Sequence, residues 1–377
     1  MKLDFIENYK AYTDKYFLRS KSILEQEGIN PLVRYQVFTR HDIPSLSGID
    51  EAVDFIKEKG RDIRIYSLKN GDSYKSGEPI MKLEARVQDL VDLETVYLSI
   101  MSGALTGPID LKLLRKGVRA SYTASQGKTI LDFSARHFAP ELVDKIARIC
   151  QEEGFNGTST DVGAKYWNTL GGGTTPHALF LTIKARMEQN GIQGNPTAEG
   201  ARLFDKYMPK EIPRIILGCT FNKEISDIIE TAETGIRIDG TRIDTCGENY
   251  TEGSQNIILP KLNVNEKYLR GKGVTIASVW GLRRGLDQAG LENLSIAISS
   301  GFDAEKIKAF VEADRVYQNE YGRELFNVIG TGSFGLKNLI MTTSDICAYF
   351  NEKKGLWLPM SKVGRFELPS KRLRRKQ

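Results

Sequence analysis

Three short segments gather residue types that can handle a negatively charged sugar phosphate. The run IDGTRIDTCGENY carries Asp239, Arg242, Asp244 and Glu248 among glycines. Carboxylates there can hold sugar hydroxyls or magnesium-bound water, and the rigid fork of Arg242 can grip phosphate oxygens at two points. A surface loop whose ions simply pair with one another would carry the same letters. Two further runs, ISSGFD and IGTGSFG, place Ser299, Ser300 and Gly301, then Gly330, Thr331 and Gly332, in small-residue turns. Small side chains let backbone N–H groups approach an anion, and a helix capped by Asp303 adds positive potential behind the first turn. Either turn alone reads equally well as plain structure. Together they suit one phosphate nest formed between adjacent βα units.

A denser cluster is FNGTSTDVGAKYWNTLGGGTTPHALF, in which Gly171 to Gly173 permit a close bend and Thr174, Thr175 and His177 lead into an apolar helix. The imidazole of His177 offers a nitrogen near physiological pH, either as a proton carrier or as a nucleophile toward phosphorus. A buried structural or capping histidine fits the position too. In DFSARHFAP, Phe133 can supply an aromatic wall and Arg136 can hold a carboxylate or phosphate. A packed ring and an ordinary salt-bridged arginine are the plainer alternative. His41 has no such setting.

Residues so far apart in sequence need a scaffold that returns the chain to one place. From about residue 128 short apolar runs alternate with loops and helices, and strands are expected at 129–133, 214–217, 235–238, 274–279, 294–298 and 326–329. Buried strands joined by helical crossovers imply a parallel α/β arrangement with ligands at the carboxyl ends of the strands. Before it, the region 3–29 reads as a partly amphipathic element with Tyr9, Tyr12, Tyr16 and Phe17. Strands follow around 33–38, 64–68 and 80–87, with helices at 49–59 and 90–105. The expected organisation is an amino-terminal α/β domain over 1–120, a catalytic barrel over 121–340, and an extension over 341–377 that begins with a short helix and returns to the first domain.

Composition narrows the class. The chain has 377 residues, 40% hydrophobic and 27% charged, with 35 glycines, which suits a globular enzyme rich in tight turns. Its four cysteines form no CxxC pair, which argues against a zinc knuckle or a disulfide scaffold, and no apolar run is long enough for a signal peptide or a membrane span. A cytoplasmic protein with reduced thiols is expected. The formal charge of +5 owes much to Lys371, Arg372, Arg374, Arg375 and Lys376. That tail leaves a nucleic-acid role as the non-enzymatic alternative, disfavoured because acidic residues are interspersed elsewhere.

In order along the chain, TDKYFLRS, DFSARH, FNGTS, GTTPHALF, CTFNKE, GIRIDGTRIDT, WGLRRGLDQAG, ISSGFD and VIGTGSFG resemble the nicotinate phosphoribosyltransferase family, its shorter prokaryotic branch in particular. The resemblance implies a type II phosphoribosyltransferase, an α/β fold with an irregular β/α barrel and an α/β sandwich-like accessory domain. It implies transfer of ribose 5-phosphate from phosphoribosyl pyrophosphate to nicotinate, giving nicotinate mononucleotide and pyrophosphate, in a homodimer with shared active sites. Mg2+ would assist the pyrophosphate, through ligands the resemblance leaves unnamed, and ATP would be an optional coupling substrate through a transient phosphohistidine at His177. Carried over residue by residue, Tyr16 reaches from the neighbouring subunit to face Phe133 across the pyridine ring, with Arg136 and Thr175 as further substrate contacts. Arg242 and Asp244 lie near ribose and pyrophosphate, and Ser300 and Gly301 with Gly332 belong to the 5-phosphate nest. Quinolinate or another nitrogen base is the alternative substrate, and a catalytically altered nucleotide-binding homologue the alternative role. Two departures bear on this: Cys219 stands where the family commonly presents Asp, and Ser134 where it commonly presents Gly.

Overall fold

Strand β1 (Leu32–Thr39) puts Val33, Tyr35 and Val37 into a buried layer, and its neighbours complete an antiparallel sheet around it. The sheet is seen in a computed structural model that describes residues 4–376, so the start of the expected amphipathic segment at Leu3 lies outside the described residues. Strands β2 (Arg64–Ser67) and β3 (Met81–Arg86) flank β1 on one side. The central parallel strands follow in the chain: β4 (Thr129–Asp132), β5 (Gly157–Thr158), β6 (Ile215–Leu217), β7 (Gly240–Ile243), β8 (Ser295–Ile298) and β9 (Val328–Thr331). The chain then returns to the first sheet as β10 (Thr342–Asn351), β11 (Leu356–Pro359) and β12 (Arg374–Lys376). The first sheet therefore runs β11-β10-β1-β3-β2-β12 and the second β5-β4-β9-β8-β7-β6.

One helix, Glu94–Thr106, is buried along most of its length and joins the two layers. It packs on the first sheet through Val96, Tyr97 and Leu98, and its Ser99 hydroxyl donates to the Phe138 carbonyl at the barrel, 2.5 Å away. The opposite face of the sheet is covered by the last residues of the chain. Gln36 exchanges hydrogen bonds with Phe366 and Leu368, and Lys82 and Arg34 pair with Glu367 at 2.5 and 3.2 Å.

Three expectations need correction. The region 235–238 is loop, and the strand begins at Gly240; IRID and TRID alternate alike, and the Asp239 carboxylate accepts the Arg214 backbone N–H outside the ladder. Residues 274–279 open the helix Ile276–Gln288, whose start is a capping box between Thr275 and Ser278 that outweighs the β-branched run. The stretch after 340 begins with the long strand β10, not a short helix, because TTSDICAYF supplies β-branched and aromatic residues that pair with β1. The basic tail, meanwhile, is an edge strand on β2, with Lys376 and Arg372 at 3.1 and 3.3 Å from Asp50 and Glu78.

Candidate active site at the carboxyl ends of the parallel strands

Asp244 follows β7 directly and is the hub of the site. Its Oδ1 accepts the Ser299 hydroxyl from the exit of β8 at 2.8 Å, and its Oδ2 stands 3.8 Å from His177 Nε2 and 4.0 Å from Arg242 Nη1. Burial alone would raise this carboxyl. Arg242, then His177 and Lys362, override that and hold it well below the usual carboxylate range. The Asp244 backbone N–H donates to the Cys219 sulfur at 3.2 Å, and burial keeps that thiol protonated.

His177 begins the helix His177–Asn190. Its Nδ1 shares a hydrogen with the Thr220 hydroxyl at 3.0 Å, whereas Nε2 is buried without a hydrogen-bond partner, its gap to Asp244 being too long for one. Burial and the Lys362 charge push its pKa down to about 4, so the imidazole is neutral at physiological pH and Nε2 is available.

The loop before His177 has a structural task that its glycines and threonines explain. Strands β5 and β6 are the edges of the parallel sheet, and residues 171–175 lie between them. Gly172 N–H donates to the Thr158 carbonyl on β5 at 2.7 Å. On the other side the Thr175 hydroxyl accepts the Leu217 N–H of β6 at 3.0 Å and donates to the Ile215 carbonyl, as does Thr174. The barrel is thus sealed by a pseudo-strand that uses hydroxyls where a strand would use peptide groups. Thr175, expected as a substrate contact, is a buried part of this seam, and its carbonyl accepts Arg242 Nη2 at 3.4 Å.

Tyr16 enters from the helix Lys15–Gln26, and its ring lies between two guanidinium groups, 5.7 Å from Arg242 and 6.0 Å from Arg136. Within its own chain Tyr16 is buried beside Arg242 and Arg136, the position to which the resemblance brings an aromatic ring from a neighbouring subunit. Asp14 and Lys15 explain the docking. Asp14 bridges to Thr160, the Lys15 N–H donates to Ser159 O, and Lys15 Nζ meets Asp161 at 2.5 Å, all at the exit of β5. Arg136, beyond β4, pairs with Asp14 at 3.1 Å and Glu94 at 3.4 Å. Burial pushes Glu94 up to about 8, against the pull of Arg136.

The remaining expected residues fall into two groups. Ser299 and Ser300 line the Asp244 side, with Ser300 at φ +88° and Gly301 at φ +66°. The Ser300 hydroxyl donates to Thr245 O, and its own carbonyl accepts Lys306 Nζ at 2.9 Å. Asp303 caps the following helix by accepting the Lys306 N–H. Gly330 and Gly332 instead leave room for the neighbouring β4 loop: an added Cβ would stand 2.2 Å from the Phe133 ring and 2.6 Å from the Phe133 carbonyl, respectively. The Thr331 hydroxyl is buried and donates to Phe302 O at 2.6 Å, tying the two turns together.

Sequence reading missed Asp14, Glu94, Lys306 and Lys362. Asp14 lay inside TDKYFLRS, and Glu94 was a lone acid at the start of an apolar helix, so both had a signal. Lys362 had none, because it arrives on an irregular segment whose Val363 N–H donates to Thr220 O at 3.0 Å, the same residue that holds His177. A cavity of about 660 Å3 between Phe55, Ile100 and Leu142 is lined by none of these residues.

Comparison with known proteins agrees with this architecture. Residues 14–104 match the family model described as the quinolinate phosphoribosyl transferase N-terminal domain. No curated protein sequence matches the chain. Among solved structures, the nicotinate phosphoribosyltransferase of Porphyromonas gingivalis superposes with a TM-score of 0.64 at 13% identity over 94% of this chain and 93% of that one. That of Vibrio cholerae gives 0.63 at 13% over 92% and 89%. A putative nicotinate phosphoribosyltransferase of Saccharomyces cerevisiae gives 0.57 at 12% over 93% and 88%. The chain has the fold of these proteins, that of type II phosphoribosyltransferases, in keeping with the resemblance its motifs carry.

Proposed function

We propose that the protein transfers ribose 5-phosphate from phosphoribosyl pyrophosphate to the ring nitrogen of nicotinate, releasing pyrophosphate. The observation that carries this reading is the meeting of Asp244, Arg242, His177 and Ser299 beside an aromatic ring flanked by two guanidinium groups. As the bond from the sugar carbon to pyrophosphate breaks, positive character gathers on that carbon and negative charge on the departing group. Asp244, ionised at any physiological pH, would face the ribose hydroxyls, while Arg242 and Lys362 would stabilise the leaving pyrophosphate. The Ser300 to Gly301 turn would receive the 5-phosphate, and Tyr16 and Phe133 would frame the base. Among the described residues no three potential ligands gather into a metal site. Magnesium would be carried by the pyrophosphate with Asp244 as its protein carboxylate, and would supply charge neutralisation to the leaving group.

ATP coupling belongs to the same reading, because the neutral imidazole of His177 leaves Nε2 as an acceptor for a phosphoryl group. Quinolinate is the second reading, favoured by the family model matched over 14–104. The charge balance favours nicotinate. Arg136 is already engaged by Asp14 and Glu94, and a second carboxylate on the base would compete with Asp14 for that guanidinium. Assay of pyrophosphate and mononucleotide formation with nicotinate, quinolinate and nicotinamide in parallel tests this. Product from nicotinate alone supports the reading, and absence of product from every base with folded protein rejects it.

A further inference from the structure

Arg19 has no part in the chemistry above, yet it is partly buried one helical turn beyond Tyr16 and aims at the loop that precedes His177. Its guanidinium donates to the Gly173 carbonyl and, at 3.5 Å, to the Gly171 carbonyl. Asp161 holds the same loop from its other polarity: Oδ1 accepts the Gly171 N–H at 2.8 Å while Oδ2 pairs with Lys15. Burial pushes the Arg19 pKa down, with Asp161 opposing that shift. The loop so gripped is the pseudo-strand that seals β5 to β6, hands the Thr175 carbonyl to Arg242, and ends at His177.

We infer that Arg19 and Asp161 form a two-sided clamp through which the first long helix sets the position of the His177 loop, making Arg19 a positioning residue for the active centre. Three glycines in a row would otherwise leave this loop with many conformations. The space around it is also committed: an added Cβ at Gly173 would stand 2.9 Å from the Tyr16 ring, and one at Gly171 2.8 Å from Ser159 O. The loop is thus shaped to fit under the helix, and the guanidinium supplies the polar attachment that glycines cannot. Because Tyr16 and Arg19 share that helix, docking of the aromatic ring and fixing of the histidine loop are one event.

This inference rests on the proposed transfer only for its kinetic arm. Hydrogen exchange of the Gly171 to Thr175 amides in the protein without substrates tests the clamp by itself. Losing a charge-assisted hydrogen bond from a loop should raise its exchange about tenfold or more in Arg19→Met, with Arg19→Lys intermediate and amides of the helix Ala304–Tyr321 unchanged. In the transfer assay Arg19→Met should lower kcat about tenfold with little change in KM for the base, because the loop is misplaced while the base slot remains. Asp161→Asn, which keeps the shape and weakens the grip from the other side, should move exchange in the same direction. Unchanged exchange in both Arg19→Met and Asp161→Asn overturns the clamp, whatever the assay gives. Raised exchange with unchanged kcat overturns the positioning role. If the parent protein transfers nothing, the transfer reading fails while the exchange arm still decides the clamp. Should Arg19→Met not fold, Arg19→Lys and Asp161→Asn carry the same decision.

Discussion

At the scale of single residues, the site separates groups that meet substrate from groups that merely share a motif with them. His177→Ala should abolish ATP-stimulated turnover and any acid-labile phosphoenzyme while leaving slower ATP-independent transfer; a folded variant that keeps both signals would refute the coupling role. Gly173 illustrates the other kind. It sits at φ +101° against the Tyr16 ring, so Gly173→Ala should cost roughly 1–3 kcal/mol through backbone strain and contact, read as a lower urea midpoint. The location of such residues was more legible in the letters than their tasks. GGGTTPH was legible as a bend before a helix, but nothing in it tells that the Thr175 hydroxyl faces a strand edge. Likewise Gly330 and Gly332 satisfy the pattern of an anion nest, and the structure also packs Phe133 where their side chains would stand. A missing side chain leaves the same mark whether a phosphate or a ring occupies the gap.

At the scale of elements, the seam between β5 and β6 depends on hydroxyl groups more than on ladder pairing. Thr175→Val keeps the volume and removes the oxygen, stranding the buried Leu217 N–H, and should destabilise the protein by about 1–3 kcal/mol. Thermal or urea unfolding checks this, and an unchanged midpoint would mean that water or another group takes over the N–H. Most of the alternating α/β rhythm was readable, because apolar strands and amphipathic helices carry distinct periods. The helix Ile49–Lys59 appeared where its pattern placed it. What failed was local choice between equivalent patterns: the strand lies at 240–243 and not in its look-alike five residues earlier, and a capping box stands behind a β-branched run. The two-residue strand β5 is too short for any period to announce it.

At the scale of the whole molecule, buried titrating groups tie stability to pH with opposite signs. Glu94 is raised to about 8 from its ordinary 4.5, so the folded chain holds a proton that the unfolded chain releases, and this contribution to stability is lost as pH rises through 8. His177 is lowered to about 4 from 6.5, so its contribution is present above 6.5 and lost as pH falls toward 4. Compared with the parent, Glu94→Gln should therefore gain relative stability from pH 5 to 8, and His177→Gln from pH 6.5 down to 4, in urea titrations across that range; parallel curves would reject the assignment. The return of the chain to its first sheet has a consequence for synthesis. Strand β10 lies between β11 and β1, so β1 presents an unpaired edge on the growing polypeptide until almost the whole chain has been made. On the ribosome the amino-terminal layer must wait for the barrel to emerge, and a nascent chain halted near residue 340 would carry a naked β edge open to pairing with its neighbours on the same polysome.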